Sequence, residues 1–342
     1  MYKTGQVTIK DIAKALDISP STVSRALKDH PDISPSTKKA VNDLAEELKY
    51  EPNAIALSLR SNETKTIGVI IPEIVHFFFS TVISGIEDVA YQQGYNVIVS
   101  QTNETYEREV SDTKAMAAHR VDGLLVSVSK ETKDFSHFKE LLERGIPIVF
   151  FDRICEELKT HRIVIDDFQS AFSAVEHLIS TGKRRIAHIY GDQNLLICRQ
   201  RFDGYKAALE KHNIPYDESL VALAGDHDFD SVKSITSAML DKGGNPNGIF
   251  AHNDMVAYGA MLAIKERNIA IPDEMGIVGF SNWNFSSLIQ PGLSSISQSG
   301  FEMGQEAAKM FIEQVQLKEE EFVPTTRVIP SKLIIRESTV RH

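Results

Sequence analysis

Residues 8–27 of this chain read Thr-Ile-Lys-Asp-Ile-Ala-Lys-Ala-Leu-Asp-Ile-Ser-Pro-Ser-Thr-Val-Ser-Arg-Ala-Leu, a run that fits two short helices joined by a tight turn. Thr8 stands at an N-cap with Asp11 three residues on, the spacing at which side chains satisfy the first free backbone amides. Ile9, Ile12, Ala13 and Leu16 fall on one face at helical spacing. Asp17-Ile18 makes the turn, Ser19 caps a second helix, and Pro20 opens it where a missing amide costs nothing. That helix turns Val23, Ala26 and Leu27 inward and leaves Ser21, Thr22, Ser24 and Arg25 outside. A small helix with a polar, arginine-bearing outer face, propped on a capped partner, suits a DNA major groove.

Ser34-Pro35 opens a third helix by the same device, and Val41, Leu44, Ala45 and Leu48 recur at i, i+3, i+4 and i+7. These residues close a core with Ile12, Leu16, Val23 and Leu27, so residues 1–52 read as an all-α helix-turn-helix domain. Residues 53–65 read as a connector. Its segment 53–59 favours a helix by composition, yet an isolated helix that short is marginal in water because nucleation is costly. The expectation is a segment frayed when free and helical when two copies meet on DNA.

From Thr66 the pattern alternates between short apolar runs and amphipathic stretches. Strands are predicted at 67–71, 96–100, 123–128 and 146–151, with helices around 79–93, 106–119 and 135–143. A second series places strands at 163–165, 186–190, 220–223, 248–251 and 277–280, and helices near 168–180, 202–212, 231–240 and 255–267. Two such series imply an α/β body, residues 66–342, of two parallel-sheet lobes with helices on both faces.

The net charge of −10 looks wrong for a partner of DNA until it is divided. Residues 1–65 hold 10 lysines and arginines against 9 carboxylates, while the remainder holds 27 against 38. Attraction to phosphate must then come from local placement in the head, with an acidic body behind it. No apolar run approaches the roughly 20 residues that span a bilayer, and residues 1–30 lack a signal peptide's apolar centre. A cytoplasmic protein with no membrane partner is expected. Cys155 and Cys198 show no metal spacing and read as reduced thiols.

Ligands of parallel sheets sit beyond the carboxyl ends of the strands. That rule nominates 72–79, 127–129, Asp152-Arg153, Gly191-Asp192, His227, 252–254 and 281–283, segments that mix aromatics, amides, hydroxyls and a few charges. The mixture suits a neutral polyol or sugar, because aromatic faces stack on C–H surfaces while polar groups hold hydroxyls. The competing reading is that many of these residues are turns and caps; Asn253, just after a strand, would serve as a plain helix cap. Catalytic signatures are missing: there is no Gly-x-Ser-x-Gly elbow, no phosphate-binding loop, no Gly-x-Gly-x-x-Gly and no His-Glu-x-x-His. Asp226-His227-Asp228 suggests a metal, but three loop side chains more often form solvated caps. No cofactor and no metal are expected.

At Val7-Thr8-Ile9-Lys10-Asp11-Ile12-Ala13, Ser21-Thr22-Val23-Ser24-Arg25-Ala26-Leu27 and residues 50–59, the chain resembles the lactose-repressor/galactose-repressor family of bacterial transcription regulators. Arg120-Val121-Asp122-Gly123-Leu124-Leu125-Val126, Asn253-Asp254-Met255-Val256-Ala257-Tyr258-Gly259-Ala260 and Ile277-Val278-Gly279-Phe280 extend the resemblance through the body. It implies an N-terminal helix-turn-helix head and a two-lobed, periplasmic-binding-protein-like body. Lobe 1 is then 66–161 with 292–323, and lobe 2 is 162–291 with 324–342, the chain crossing near 162, 291 and 324. Residues 300–315 are expected as a helix of lobe 1 and 327–335 as part of lobe 2.

The resemblance also implies roles by position. Pro20, Ser21 and Arg25 fall where the family's recognition helix touches base edges; an arginine there can bond guanine as a two-pronged donor. Thr8, Thr22, Ser24 and Ser34 are implied as phosphate contacts or caps. Leu59, beside Arg60, matches the leucine that wedges into a minor-groove step, and Ile55 packs between paired hinge segments. In the body, Arg201 of Arg201-Phe202-Asp203-Gly204 matches the effector-binding arginine, with Arg199 a rival. Phe78, Phe79, Asp152, His227 and Asn253 fall at further effector positions. Ser281 departs from the aspartate that several relatives carry. His76-Phe77-Phe78-Phe79 replaces the usual Asn-Pro-Phe-Phe, which points to an unusually apolar cleft mouth.

The implied function is a repressor of carbohydrate-utilisation genes whose affinity for double-stranded operator DNA changes when a sugar or related metabolite binds between the lobes. With no leucine-heptad tail after Val340, a homodimer is expected. The alternative is a solute-binding or sugar-sensing protein without direct DNA regulation, against which the helix-turn-helix head and the lack of a signal peptide's apolar centre argue; an enzyme reading would leave residues 1–60 idle.

Overall fold

A computed structural model describes residues 7–50, 63–225, 229–317 and 322–341 and divides into two compact units, residues 1–64 and 65–342. The head holds α1 (Ile9–Ala15), α2 (Pro20–Leu27) and α3 (Pro35–Glu47). The backbone amide and the hydroxyl of Thr8 both donate to the Asp11 carboxylate, at 2.8 and 2.7 Å. The run Ile-Ser-Pro-Ser-Thr occurs twice, and each time its first serine accepts from the threonine amide, Ser19 from Thr22 and Ser34 from Thr37. Each such cap stabilises its helix by about 1 kcal/mol. Ile12, Val23 and Val41 are wholly buried where the three helices meet.

The body begins with β1 (Thr66–Ile71), α4 (Phe77–Gln92), β2 (Asn96–Gln101), α5 (Tyr106–Ala118), β3 (Gly123–Val126), α6 (Ser136–Glu143), β4 (Ile148–Phe151) and β5 (His161–Ile165). It continues with α7 (Asp167–Ser180), β6 (Ile186–Tyr190), α8 (Leu196–Lys211), β7 (Val221–Leu223), α9 (Phe229–Asp241), β8 (Gly248–Ala251), α10 (Asp254–Glu266) and β9 (Gly276–Phe280). Last come β10 (Ser294–Gln298), α11 (Gly300–Gln316), β11 (Thr326–Ile329) and β12 (Ser331–Ile334).

One sheet has the order β11-β5-β4-β3-β1-β2 and is parallel throughout; the other runs β12-β10-β9-β8-β6-β7 and is parallel except at β12. The central strands β3, β4, β8 and β9 are buried at every position, as helices on both faces require. Helices α4 and α11 pack so closely on the first sheet that a side chain at Gly85 would strike the Phe301 carbonyl, and one at Gly304 the Val82 carbonyl.

The lobe boundaries differ from the sequence expectation. β5 pairs with β4 and β11 in the first sheet, so the chain leaves lobe 1 after Ile165 and not near 162. β10 pairs with β9 in the second sheet, which moves the return crossing from 291 to 298–299. β11 belongs to lobe 1 and only β12 to lobe 2, so residues 327–329 do not join lobe 2. Hydrogen-bond partners across the sheet, which local periodicity does not record, decide each of these assignments. Among the described residues, no helix is long and apolar enough to cross a membrane, and no cluster of three or more His, Cys, Asp or Glu side chains could hold a metal ion.

Candidate functional site

The carboxyl ends of both sheets face one cavity of about 210 Å³. From lobe 1 it receives the loop after β1 (Glu73, His76, Phe78, Phe79), the loop after β2 (Glu104), Lys130 after β3, and Asp152 with Arg153 after β4. Lobe 2 adds Asp192 and Leu195 after β6, Cys198 and Arg201 on α8, His252 and Asn253 after β8, Ser281 and Trp283 after β9, and Gln298 ending β10.

On the lobe 1 side, Arg153 Nη1 donates to both carboxylate oxygens of Glu104, at 2.9 and 2.7 Å. Glu104 also accepts from the Lys130 amide at 2.8 Å, which fixes the loop after β3. Burial raises the Glu104 pKa, but Arg153 outweighs it and holds the carboxyl below its ordinary value. Asp152 is buried at a φ of +58°, with Oδ2 4.0 Å from Arg153 Nε. Burial pushes its pKa up, against the pull of Arg153, Arg201 and the Gln298 amide.

On the lobe 2 side, Arg201 is buried over the Phe280 ring, 3.6 Å from the guanidinium carbon to the ring centre. Its Nε donates to Asp167 Oδ1 and its Nη1 to the His252 carbonyl, both at 2.7 Å. Asp167 opens α7 and is raised to about 6 by burial, which Arg201 opposes. The Ser281 hydroxyl, on a residue with φ of +95°, donates to Gln298 Oε1 at 2.7 Å. Beneath these groups Asp254 accepts from the Trp283 amide and from the hydroxyls of Ser286 and Ser295. Gly279 is obligatory here, because any side chain would strike the Asp254 carboxylate.

Aromatic rings close the mouth. His76 from lobe 1 lies 5.7 Å, centre to centre, from Trp283 of lobe 2, and Phe78 meets Phe79 edge to face at 5.3 Å. His76 also pairs with Glu73 at 2.9 Å. Glu73, His76 and Glu104 line the cavity beside these rings, so charged groups accompany the apolar side chains expected from His76-Phe77-Phe78-Phe79.

Of the effector residues expected from sequence, Phe78, Phe79, Asp152, Arg201, Asn253 and Ser281 converge on the cavity. Asn253 is also the N-cap of α10, accepting from the Val256 amide at 2.9 Å. Arg199 does not join them: it is exposed and spends its guanidinium on the Gln193 and Asn194 carbonyls. The helix carrying both arginines starts at Leu196, not near 202, and puts the two residues on different faces. His227 and the Asp226-His227-Asp228 cluster lie outside the described residues.

Sequence reasoning passed over Glu104, Gln298 and Asp167. Glu104 follows another left-handed residue, Asn103, in a two-residue turn; Gln298 ends a serine-rich strand without apolar alternation; Asp167 looks like an ordinary first-turn acid. Arg153, His76 and Trp283 lay within the nominated strand-end segments.

In the head, Pro20, Ser21 and Arg25 are exposed on α2, and Thr8 and Ser34 are exposed at helix starts. Thr22 and Ser24 are half-buried, and the Ser21 and Thr22 hydroxyls bond to Ser19 Oγ at 2.7 and 2.8 Å. Ile55, Leu59 and Arg60 lie outside the described residues.

Comparison with known proteins bears on both units. The family described as "Bacterial regulatory proteins, lacI family" matches residues 8–53, and "Periplasmic binding proteins and sugar binding domain of LacI family" matches residues 64–337. Catabolite control protein A of Priestia megaterium is 32% identical over 335 residues, 97% of this chain and 99% of that protein. A lac repressor dimer bound to operator and an anti-inducer shares the fold with a TM-score of 0.86 at 25% identity, covering 98% of this chain and 100% of the other. A LacI-family regulator of Enterococcus faecium with bound ribose is 30% identical, with a TM-score of 0.71 over 80% of this chain and 98% of that one. Head and body alike place the chain in the LacI family of bacterial regulatory proteins.

Proposed function

We propose that this chain is a cytoplasmic, homodimeric repressor that binds operator DNA through its helix-turn-helix and changes its affinity when a sugar or related metabolite occupies the body. The observation that carries this reading is the presence, on one chain, of an exposed, capped helix bearing Arg25 and a cavity walled by aromatics, carboxylates and arginines at the strand ends. The E. faecium regulator with bound ribose and the lac repressor dimer on its operator support both halves. Pro20, Ser21 and Arg25 are assigned to base edges, and Thr8, Thr22, Ser24 and Ser34 to phosphates or caps. Phe78, Phe79, Asp152, Arg201, Asn253 and Ser281 are assigned to the effector.

Two candidate nucleophiles at the cavity are not activated. Burial pushes the Cys198 thiol up to about 11, too high for a nucleophile at neutral pH, and the Ser281 hydroxyl donates to an amide rather than to a base. Pairing of two chains is assigned to lobe 2, where Leu262 and Phe285 expose apolar surface beside Tyr258 and Ile289. Leu262→Glu should yield monomers in sedimentation at concentrations where the parent is dimeric.

Selection of binding sites from a random duplex pool, followed by anisotropy titration with and without ligand, tests the main reading. A selected palindromic site whose affinity changes with a sugar is the expected outcome, and that sugar's own affinity must change by the same factor when DNA is present. A chain that selects no duplex under either condition would be a solute sensor without direct DNA regulation.

A further inference from the structure

Trp283, the only tryptophan in the chain, lines two cavities at once. One is the cleft between the lobes; the other is a groove of about 500 Å³ on lobe 2. Among the described residues only Met255 shares this double position. The rest of the groove is Phe229, Tyr258, Met261, Leu262, Phe285 and Ile289, with Lys265 its one charged side chain. The Lys265 ammonium already donates to the Gln290 carbonyl at 2.6 Å. The indole of Trp283 meets rings from both directions, His76 of lobe 1 at 5.7 Å and Tyr258 of the groove at 6.3 Å. Its backbone is pinned, because the Trp283 amide donates to Asp254 Oδ2 at 2.7 Å. The same oxygen accepts from the Ser286 hydroxyl at 2.8 Å, and that hydroxyl lies 2.9 Å from Tyr258 Oη. What can move is therefore the indole ring, and a shift of lobe 1 acts on it through His76.

We propose that Trp283 links the two cavities, so that lobe 1, acting through His76, sets how tightly two chains pair at the groove. This rests on the pairing through lobe 2 given above and adds what controls it. A groove whose one ammonium is already bonded to a carbonyl suits the same apolar surface of a second copy, and a two-fold contact is self-complementary by construction. While His76 abuts Trp283, the indole is held as part of the groove wall. When lobe 1 withdraws, the ring loses that support, and a second copy must order it on packing, which weakens association. The link is reciprocal: whatever shifts lobe 1 changes pairing by the factor by which pairing changes its own binding.

Sedimentation of the full chain gives the dimerisation constant, and His76→Ala tests the link without any ligand, because His76 lines the cleft and not the groove. Dimerisation should weaken about twofold to tenfold, the worth of one aromatic pair. In a Trp283→Leu background the same substitution should change nothing further. No effect in the parent, or an equal effect in both backgrounds, overturns the proposal. Tryptophan emission of the parent needs no variant: it should shift as the protein is diluted from dimer to monomer, and constant emission across a dissociation seen by sedimentation overturns the link. Calorimetric titration of the parent and of Leu262→Glu with D-ribose, D-glucose and D-galactose reads the reverse direction. A sugar that binds should do so with different affinity in the two proteins, and equal affinities overturn the proposal. A parent that is monomeric at every concentration overturns the pairing reading, and the proposal with it. Silence from every sugar overturns the sugar-sensing reading alone, and the sedimentation and emission results then decide.

Discussion

The side-chain amide of Asn194, on lobe 2, donates to the Thr132 carbonyl of lobe 1 at 3.0 Å, and the same nitrogen reaches the Lys130 carbonyl at 2.5 Å. The receiving loop is held from below by Glu109, wholly buried, which accepts from the Ser129 amide and the Thr132 hydroxyl. His137 Nε2 lies 3.0 Å from the same carboxylate. One amide thus bridges the two lobes at the edge of the cavity, and its landing site is rigid.

Asn194→Ala should loosen the closed arrangement without touching the ligand. Two hydrogen bonds, each contributing roughly 0.5–1.5 kcal/mol, correspond to a loss of about fivefold to a hundredfold in affinity for whichever free sugar binds the parent. Calorimetry measures the affinity, and small-angle scattering should show a larger radius of gyration for the liganded variant. Parental affinity would falsify the latch.

Arg201→Met should cost more than ligand binding. It leaves Asp167 buried without its cation, a penalty of about 3–5 kcal/mol read by urea unfolding at pH 7.5. Asp167 already has its pKa raised to about 6, so its folded form takes up a proton before the unfolded form does. Protonation therefore adds stability as pH falls below 6, and without Arg201 that gain begins at higher pH. The deficit of the variant should shrink at pH 5.5. Adding Asp167→Leu should restore stability while leaving the ligand unbound.

His188 sets an acid limit of the opposite sign. Its Nδ1 meets the Phe250 carbonyl at 2.9 Å, while Nε2 is buried among rings with no partner among the described residues. Burial lowers its pKa to about 4 from 6.5. The unfolded chain gains a proton below 6.5 that the folded chain refuses until about 4. The stability linked to this residue is thus complete above pH 6.5 and lost by pH 4, a swing of about 3 kcal/mol. Asp167 and Asp254 titrate in the contrary direction, so the difference between parent and His188→Phe is the quantity to follow. Between pH 7 and 4 the parent should lose about 3 kcal/mol more stability than the variant; parallel unfolding curves would refute the assignment.

Arg25→Ala removes an exposed fork from α2 and should leave the melting temperature unchanged. A lost two-pronged base contact is worth about 1–3 kcal/mol, so affinity for the selected operator should fall roughly tenfold to a hundredfold. Binding to unrelated duplex should fall much less. Equal losses on both DNAs would make Arg25 a phosphate contact.

Local chemistry made the head legible in full outline. The capping hydroxyls at Thr8, Ser19 and Ser34, the proline openings and the apolar spacing all act within a turn or two of chain, so reading them requires no knowledge of distant neighbours. The same holds for the alternating elements of the body and for the rule that its ligand sits at strand ends, which pointed to Phe78, Phe79, Asp152, Asn253 and Ser281 on one cavity, while Arg201 came from the family resemblance.

What local chemistry left undecided depended on pairing between remote segments. Whether β5, β10 and β11 serve the first or second sheet is settled by hydrogen bonds to strands far along the chain. Arg199 and Arg201 are interchangeable in sequence, and only the phase of α8 against α7 sends one to Asp167 and the other to the surface. Glu104 meets Arg153, and Asn194 meets Thr132, across gaps of 49 and 62 positions. Sequence determined which pieces form and which ends carry chemistry, because helix caps and strand runs are short-range devices. Tertiary structure decided how the charges cancel, because compensation depends on distances of a few ångströms between groups that the chain itself holds far apart.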